Sequence, residues 1–201
     1  VCPPQLTDTA AGERPMPVKL SLRTHLSASV PPWSGLLVLP RGSSATTLVT
    51  APAGFLVRTI EGKKCRTTSS LFDEFAQALS FPEYFGHNWD ALEECLADFE
   101  WLPAKGYILL ISNAQAVLPN DEEEYETLLE VLNDAGEAWS KGQTADGRSA
   151  PFHAVFAVTA QDKSTRHRWE LEEFSATKQR KSAENPLRTR SAASKQKPTK
   201  K

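Results

Sequence analysis

Cysteine is scarce and badly placed for bridging. Cys2, Cys65 and Cys95 are odd in number, far apart and free of any CxxC spacing. That excludes a zinc ribbon or a disulfide framework as an expectation, and a reducing cytoplasm is the compartment that fits. No apolar run approaches the ~18 residues of a membrane-spanning helix. The first thirty residues lack the basic-then-apolar layout of a signal peptide. No Walker loop, Gly-x-Ser-x-Gly elbow or dinucleotide fingerprint occurs, so no cofactor is expected. His87, Asp90 and Glu94 stand at i, i+3 and i+7 and could be drawn as a metal or acid–base set. No second histidine has ligand spacing near His87, however. His153 falls in an apolar run and His167 in a basic one. An exposed loop residue is the simpler reading of His87, and neither a metal site nor an enzyme is expected.

What the chain has is one domain's worth of apolar residues and a lopsided charge. Its 201 residues, 40% of them hydrophobic, suit a single domain with tails. The net charge of −2 hides an asymmetry: residues 54–173 hold 22 acids and 10 bases, residues 174–201 hold one acid and nine bases. An acidic body of this kind attracts basic partners and repels nucleic acid.

The charge is most ordered between Phe81 and Leu96. Pro82 and Gly86 bracket a tight loop that exposes Tyr84 or Phe85. Asn88 is placed to cap a helix through its side-chain oxygen. Beyond it, Trp89, Leu92, Leu96 and Phe99, with Cys95 alongside, share one helical face. Asp90, Glu93, Glu94, Ala97 and Asp98 share the other, which holds no Lys or Arg. Two explanations stand. A solvated surface is one, and Asp90 gains from the helix dipole in any case. A binding surface is the other: Asp90/Glu94, Glu94/Asp98 and Asp90/Glu93 are like-charge neighbours, each costing roughly 0.2–0.5 kcal/mol. A helix shaped for stability alone would break that stripe with a lysine.

The run from Pro82 to Leu96, with its Pro-Glu-Tyr-aromatic-Gly start, Asn88, Asp-Ala-Leu and a closing acid-Cys-Leu, resembles the barstar family of ribonuclease inhibitors. The resemblance extends over about Gly54 to Thr159. It implies a small three-stranded parallel sheet packed with helices, and a 1:1 complex of a monomer with a basic microbial ribonuclease or toxin nuclease. It also implies roles. Tyr84 would stack on the partner's catalytic groups, and Gly86 and Asn88 would shape the loop against the cleft. Asp90 would face catalytic-site bases, and Glu94 sits where the family has its main phosphate-mimicking aspartate. Ala97 and Asp98 would continue the contact edge, Asp134 matches a peripheral acid, and Trp89 matches an interface-edge position that periodicity assigns to the core. Glu94 is one methylene longer than the usual Asp, about 1.5 Å. Glu93 replaces a Trp and Phe85 a Tyr. These departures point to a different cognate nuclease. The expected function is an intracellular nuclease inhibitor or immunity protein working by phosphate mimicry. The alternative is a regulatory module docking a basic protein that is not an RNase.

The remaining expectations follow the chain. Residues 1–53 form an extension, loose over 1–32, with a possible hairpin at 36–50 from two β-prone runs around Pro40–Ser44. Residues 54–173 form the α/β domain. Phe55–Ile60 is its first strand, and a helix capped by Ser70 follows, with Asp73 and Glu74 in its first turn and Phe72, Phe75 and Leu79 buried. Tyr107–Ile111 is a central strand buried on both faces. A helix starts at Asn120 with Glu123 completing a capping box, buries Tyr125, Leu128, Leu129, Leu132 and Trp139, and ends at Gly142. Phe152–Val158 is the last strand, with a short helix possible over Lys163–Phe174. The basic residues 174–201 are too polar to order themselves. Solubilisation, weak nucleic-acid contact or shielding of the acidic face are the roles open to them.

Overall fold

A computed structural model describes residues 21–162 and 171–174. The elements in order are α1 (Leu22–Leu26), β1 (Ser34–Leu39), α2 (Ala45–Leu48), β2 (Leu56–Glu61), α3 (Thr68–Leu79) and α4 (Trp89–Asp98). They continue with β3 (Tyr107–Ser112), a 3-10 turn (Ala114–Ala116), α5 (Glu122–Lys141), β4 (Phe152–Thr159) and β5 (Glu173–Phe174). The strands form one five-stranded sheet in the order β2-β3-β4-β1-β5. All four pairings are parallel. No helix among the described residues is long and apolar enough to cross a membrane.

The apolar run at Tyr107–Ile111 does lie in the interior, between β2 and β4. Successive side chains of a strand point to opposite faces. Tyr107, Leu109 and Ile111 join the cluster beneath α3, α4 and α5, together with Phe75, Leu92, Leu96, Phe99, Leu132 and Trp139. Ile108 and Leu110 join a second cluster with Leu37, Val155 and Ala157, closed by Leu22, Leu26, Ala45 and Val49. The first face carries the long helices. The second is covered by the N-terminal segment.

That segment corrects the first expectation. No hairpin forms at 36–50, and the sheet has five strands, not three. The run Gly35–Leu39 is a strand, but it pairs in parallel with β4, Leu36 opposite Phe156. The second run becomes α2 and the loop around it, seating Ala45 and Val49 on the second face. Two β-prone runs separated by a Pro-Gly turn look alike whether they pair with each other or with a distant strand. A parallel partner with an uncovered apolar face decided this case. Residues 21–32 are also not a loose arm, since α1 buries Leu22, His25 and Leu26; residues 1–20 lie outside the description.

Two helix starts shift. α3 is capped by Thr67, not Ser70. Thr67 accepts from the Ser70 amide while the Ser70 hydroxyl accepts from the Thr67 amide. Four hydroxyl residues in a row offer several caps, and this reciprocal pair satisfies two donors at once. Glu74, now in the second turn, is buried, accepting from the Glu61 amide at 3.0 Å and from Lys64 Nζ at 2.8 Å. α5 is capped by Asp121, not Asn120. A full negative charge gains more from the dipole than an amide does. Gly142 ends α5 in the left-handed region, as expected. Within 163–174 the described part holds the strand β5 instead of a helix, so β4 is not the last strand. Residues 163–170, and the basic tail from residue 175, lie outside the description.

Candidate recognition surface

The site is built on α4 and the loop before it. Asn88 Oδ1 accepts from the Ala91 amide at 2.8 Å, so the helix starts where the sequence indicated. Residue 87 carries the left-handed backbone of the loop, at φ 49°. His87 manages this by donating from Nδ1 to the Phe85 carbonyl (3.1 Å) and by facing Asp73 across 3.4 Å. It turns toward α3 and not toward Asp90 and Glu94, so the sketched trio is not assembled. A Cβ at Gly86 would lie 3.3 Å from Asn88 Nδ2, a tight contact that the capping side chain would have to relieve by a small shift.

The two loop aromatics part company. Phe85 is buried, edge-on to Phe81 and Phe72 at 4.8 and 6.2 Å. Tyr84 is 70% exposed. Its phenol is held above its ordinary pKa, first by partial desolvation and then by the negative field of Asp98, with Cys95, Glu100 and Glu94 adding to it. The exposed ring therefore borders the acidic face of α4.

On that face Asp90, Glu93 and Glu94 are exposed, and Ala97 and Asp98 are half-buried. Among the described residues none of these carboxylates takes part in an ion pair. Asp98 accepts from the Glu100 amide at 3.2 Å. The opposite face is buried as its period required: Leu92, Cys95, Leu96 and then Phe99, which caps the helix at φ 49°. Desolvation, followed by Asp98 and Glu94, pushes the Cys95 thiol up to about 11, so it stays protonated at neutral pH and is a poor nucleophile. A cavity of about 270 Å³ lies elsewhere, at the carboxyl ends of β1, β3 and β4; none of its lining residues belongs to α4. The acidic face is an open surface.

Two further residues named by the resemblance lie off the acidic row. Trp89 is half-buried and turned inward, its ring edge-on to Phe72 at 5.0 Å and its Nε1 donating to Glu124 Oε2 at 2.8 Å. Asp134 is exposed on α5, the helix packed against α4. The sequence also gave no sign of what fixes α4. Trp139 donates from Nε1 to the Leu96 carbonyl at 2.8 Å, satisfying one of the free acceptors at the helix end. Glu124 holds the start. Their partners are 43 and 35 residues away, beyond the reach of local pattern.

A family model described as Barstar (barnase inhibitor) matches residues 55–157, more than half of the chain. No curated protein matches the chain.

Proposed function

This chain belongs to the barstar family, and from that premise we propose that it inhibits a barnase-like ribonuclease by laying the acidic face of α4 into the enzyme's cationic active site. Members of the family are inhibitors and not enzymes, and a ribonuclease partner follows from membership in general terms. The observation that supports the finer reading is the row Asp90, Glu93 and Glu94, exposed and, among the described residues, without ion pairs, beside the 70% exposed Tyr84.

A ribonuclease binds a polyanion, so its cleft concentrates Arg, Lys and His. Carboxylates on a rigid helix present comparable charge with no scissile bond. Their field speeds encounter, and exclusion of water strengthens the contacts after docking. In this reading Tyr84 stacks in the cleft, Gly86 and Asn88 hold the loop flat, and Asp90 meets the catalytic bases. Glu94 takes the phosphate position with Glu93 beside it. Ala97 and Asp98 lie on the rim, and Asp134 adds long-range field only. Glu94 reaches deeper than the family's Asp would, and it calls for a cleft with that much more depth.

The test is inhibition of RNA cleavage by a panel of microbial guanyl-type ribonucleases, comparing wild type with Asp90→Ala and Glu94→Ala. Loss of one member of a desolvated charge pair costs about 2–5 kcal/mol, a range to which the barnase–barstar pair itself contributes, so Ki should rise by well over tenfold. The loss should fall mainly on dissociation. Failure of wild type to inhibit any of them, with capture of a basic protein that is not a nuclease, would transfer the same surface to a regulatory module.

A further inference from the structure

We propose that Glu124 is a positioning residue for the recognition face: its carboxylate locks the first turn of α4, and thereby Asn88 and Asp90, to the starts of α3 and α5. One oxygen, Glu124 Oε2, accepts from Trp89 Nε1 at 2.8 Å and from Thr68 Oγ1 at 3.1 Å. Thr68 opens α3, Trp89 opens α4 and Glu124 is the third residue of α5. Three helix starts thus meet on a single half-buried side chain.

The position is one where a glutamate commonly reaches back to its own cap amide. Here Asp121 already caps α5, and Glu124 reaches across to two other helices. Through Trp89 the restraint continues inward, since the indole packs on Phe72 and Phe72 packs on Phe85 of the recognition loop. α5 also grips the other end of α4 through Trp139 and the Leu96 carbonyl. A helix held at both ends by one neighbour presents its charges in a fixed row. Sites of this kind gain precision from the shell that locks them.

The functional consequence rests on the inhibitor reading; the lock itself does not. Two readouts separate them: amide hydrogen exchange over the first turn of α4 in the free protein, and dissociation of the complex with whichever ribonuclease of the panel wild type inhibits. Glu124→Ala and Trp89→Phe should each speed both by about tenfold, the low end for a hydrogen bond to a charged group. Glu124→Gln, which keeps the acceptor and drops the charge, should fall between wild type and Glu124→Ala, at about threefold. A charge acting directly on the partner would make Gln as harmful as Ala, and that result overturns the proposal. So does unchanged exchange in Glu124→Ala; if that variant does not fold, Trp89→Phe and Thr68→Val carry the same comparison. If wild type inhibits no ribonuclease, the inhibitor reading falls and exchange still decides the lock.

Discussion

At the scale of single residues, the proposed recognition role and stability pull in opposite directions on α4. Asp90, Glu94 and Asp98 stand one turn apart with no cation between them, and each like-charge pair costs the helix a few tenths of a kcal/mol. Glu94→Lys converts both pairs into attractive ones. Thermal unfolding should therefore show a small gain, up to about 1 kcal/mol from the two reversed pairs. Inhibition by the same variant should be abolished, because a lysine would enter a cationic cleft. A variant both less stable and still inhibitory would remove the case for phosphate mimicry. The acidic row was readable because charge and period are local properties. Which of Tyr84 and Phe85 would be exposed was not, since that depends on Phe72 and Phe81 meeting across the loop.

His153 gives a second residue-scale expectation. It is fully buried on β4, donates from Nε2 to the Ala28 carbonyl at 2.8 Å and lies 4.8 Å from the ring of His25. Its pKa is lowered from 6.5 to about 4, first by burial and further by His25, against the opposing pull of the Ala28 and Pro32 carbonyls. Above pH 6.5 the residue is neutral in both folded and unfolded chains, and its contribution is intact. Between 6.5 and 4 the unfolded chain takes up a proton that the folded one refuses, so stability falls as pH falls. The loss is on the order of 3 kcal/mol across that window. Urea unfolding at pH 7 and at pH 4.5 measures it. His153→Gln should flatten the difference relative to wild type, and parallel profiles for the two proteins would rule the mechanism out.

At the scale of elements, α4 and β3 were legible because each satisfies its pattern within one stretch. α4 has an Asn cap and a 3.6-residue apolar stripe; β3 has an unbroken apolar run. The starts of α3 and α5 were misplaced by one to three residues, since neighbouring Thr, Ser, Asn and Asp all offer cap oxygens. Gly136 shows a requirement that local pattern hides. A glycine inside a helix ordinarily costs about 1 kcal/mol against alanine, and α5 would look better without it. The structure seats Trp33 of the N-terminal segment on that bare backbone, and a Cβ would come within 2.5 Å of Trp33 Cβ and Cγ. These are the root of the side chain and cannot swing aside. Gly136→Ala should therefore destabilise by about 1–3 kcal/mol in chemical denaturation, despite its better helix propensity. A stabilised variant would mean that Trp33 does not dock there.

At the scale of the whole molecule, the family match and the folded unit have different edges. The match covers residues 55–157, yet β1 lies inside the sheet between β4 and β5, and α1 and α2 close its second face. Sequence alone placed residues 36–50 outside the core because the partner of β1 lies more than a hundred residues further on. A chain trimmed to residues 54–159 would retain every carboxylate of α4 and all three strands of the expected core. It would also expose Ile108, Leu110, Val155 and Ala157, each at most 1% accessible in the full chain. Fully burying a side chain of that kind contributes about 1.5–3 kcal/mol for the larger ones. Losing several at once compares with the 5–15 kcal/mol that holds a domain together. The trimmed chain should bind a hydrophobic dye, lose cooperative thermal unfolding and fail as an inhibitor, although its recognition residues are all present. Within the full chain, Leu26→Ala should give the graded version. It removes a fully buried side chain of the cover, at a cost of about 2–5 kcal/mol, and leaves Ki unchanged at temperatures where the variant is still folded. A trimmed chain that melts cooperatively and inhibits at full strength would show the N-terminal cover to be dispensable to the fold.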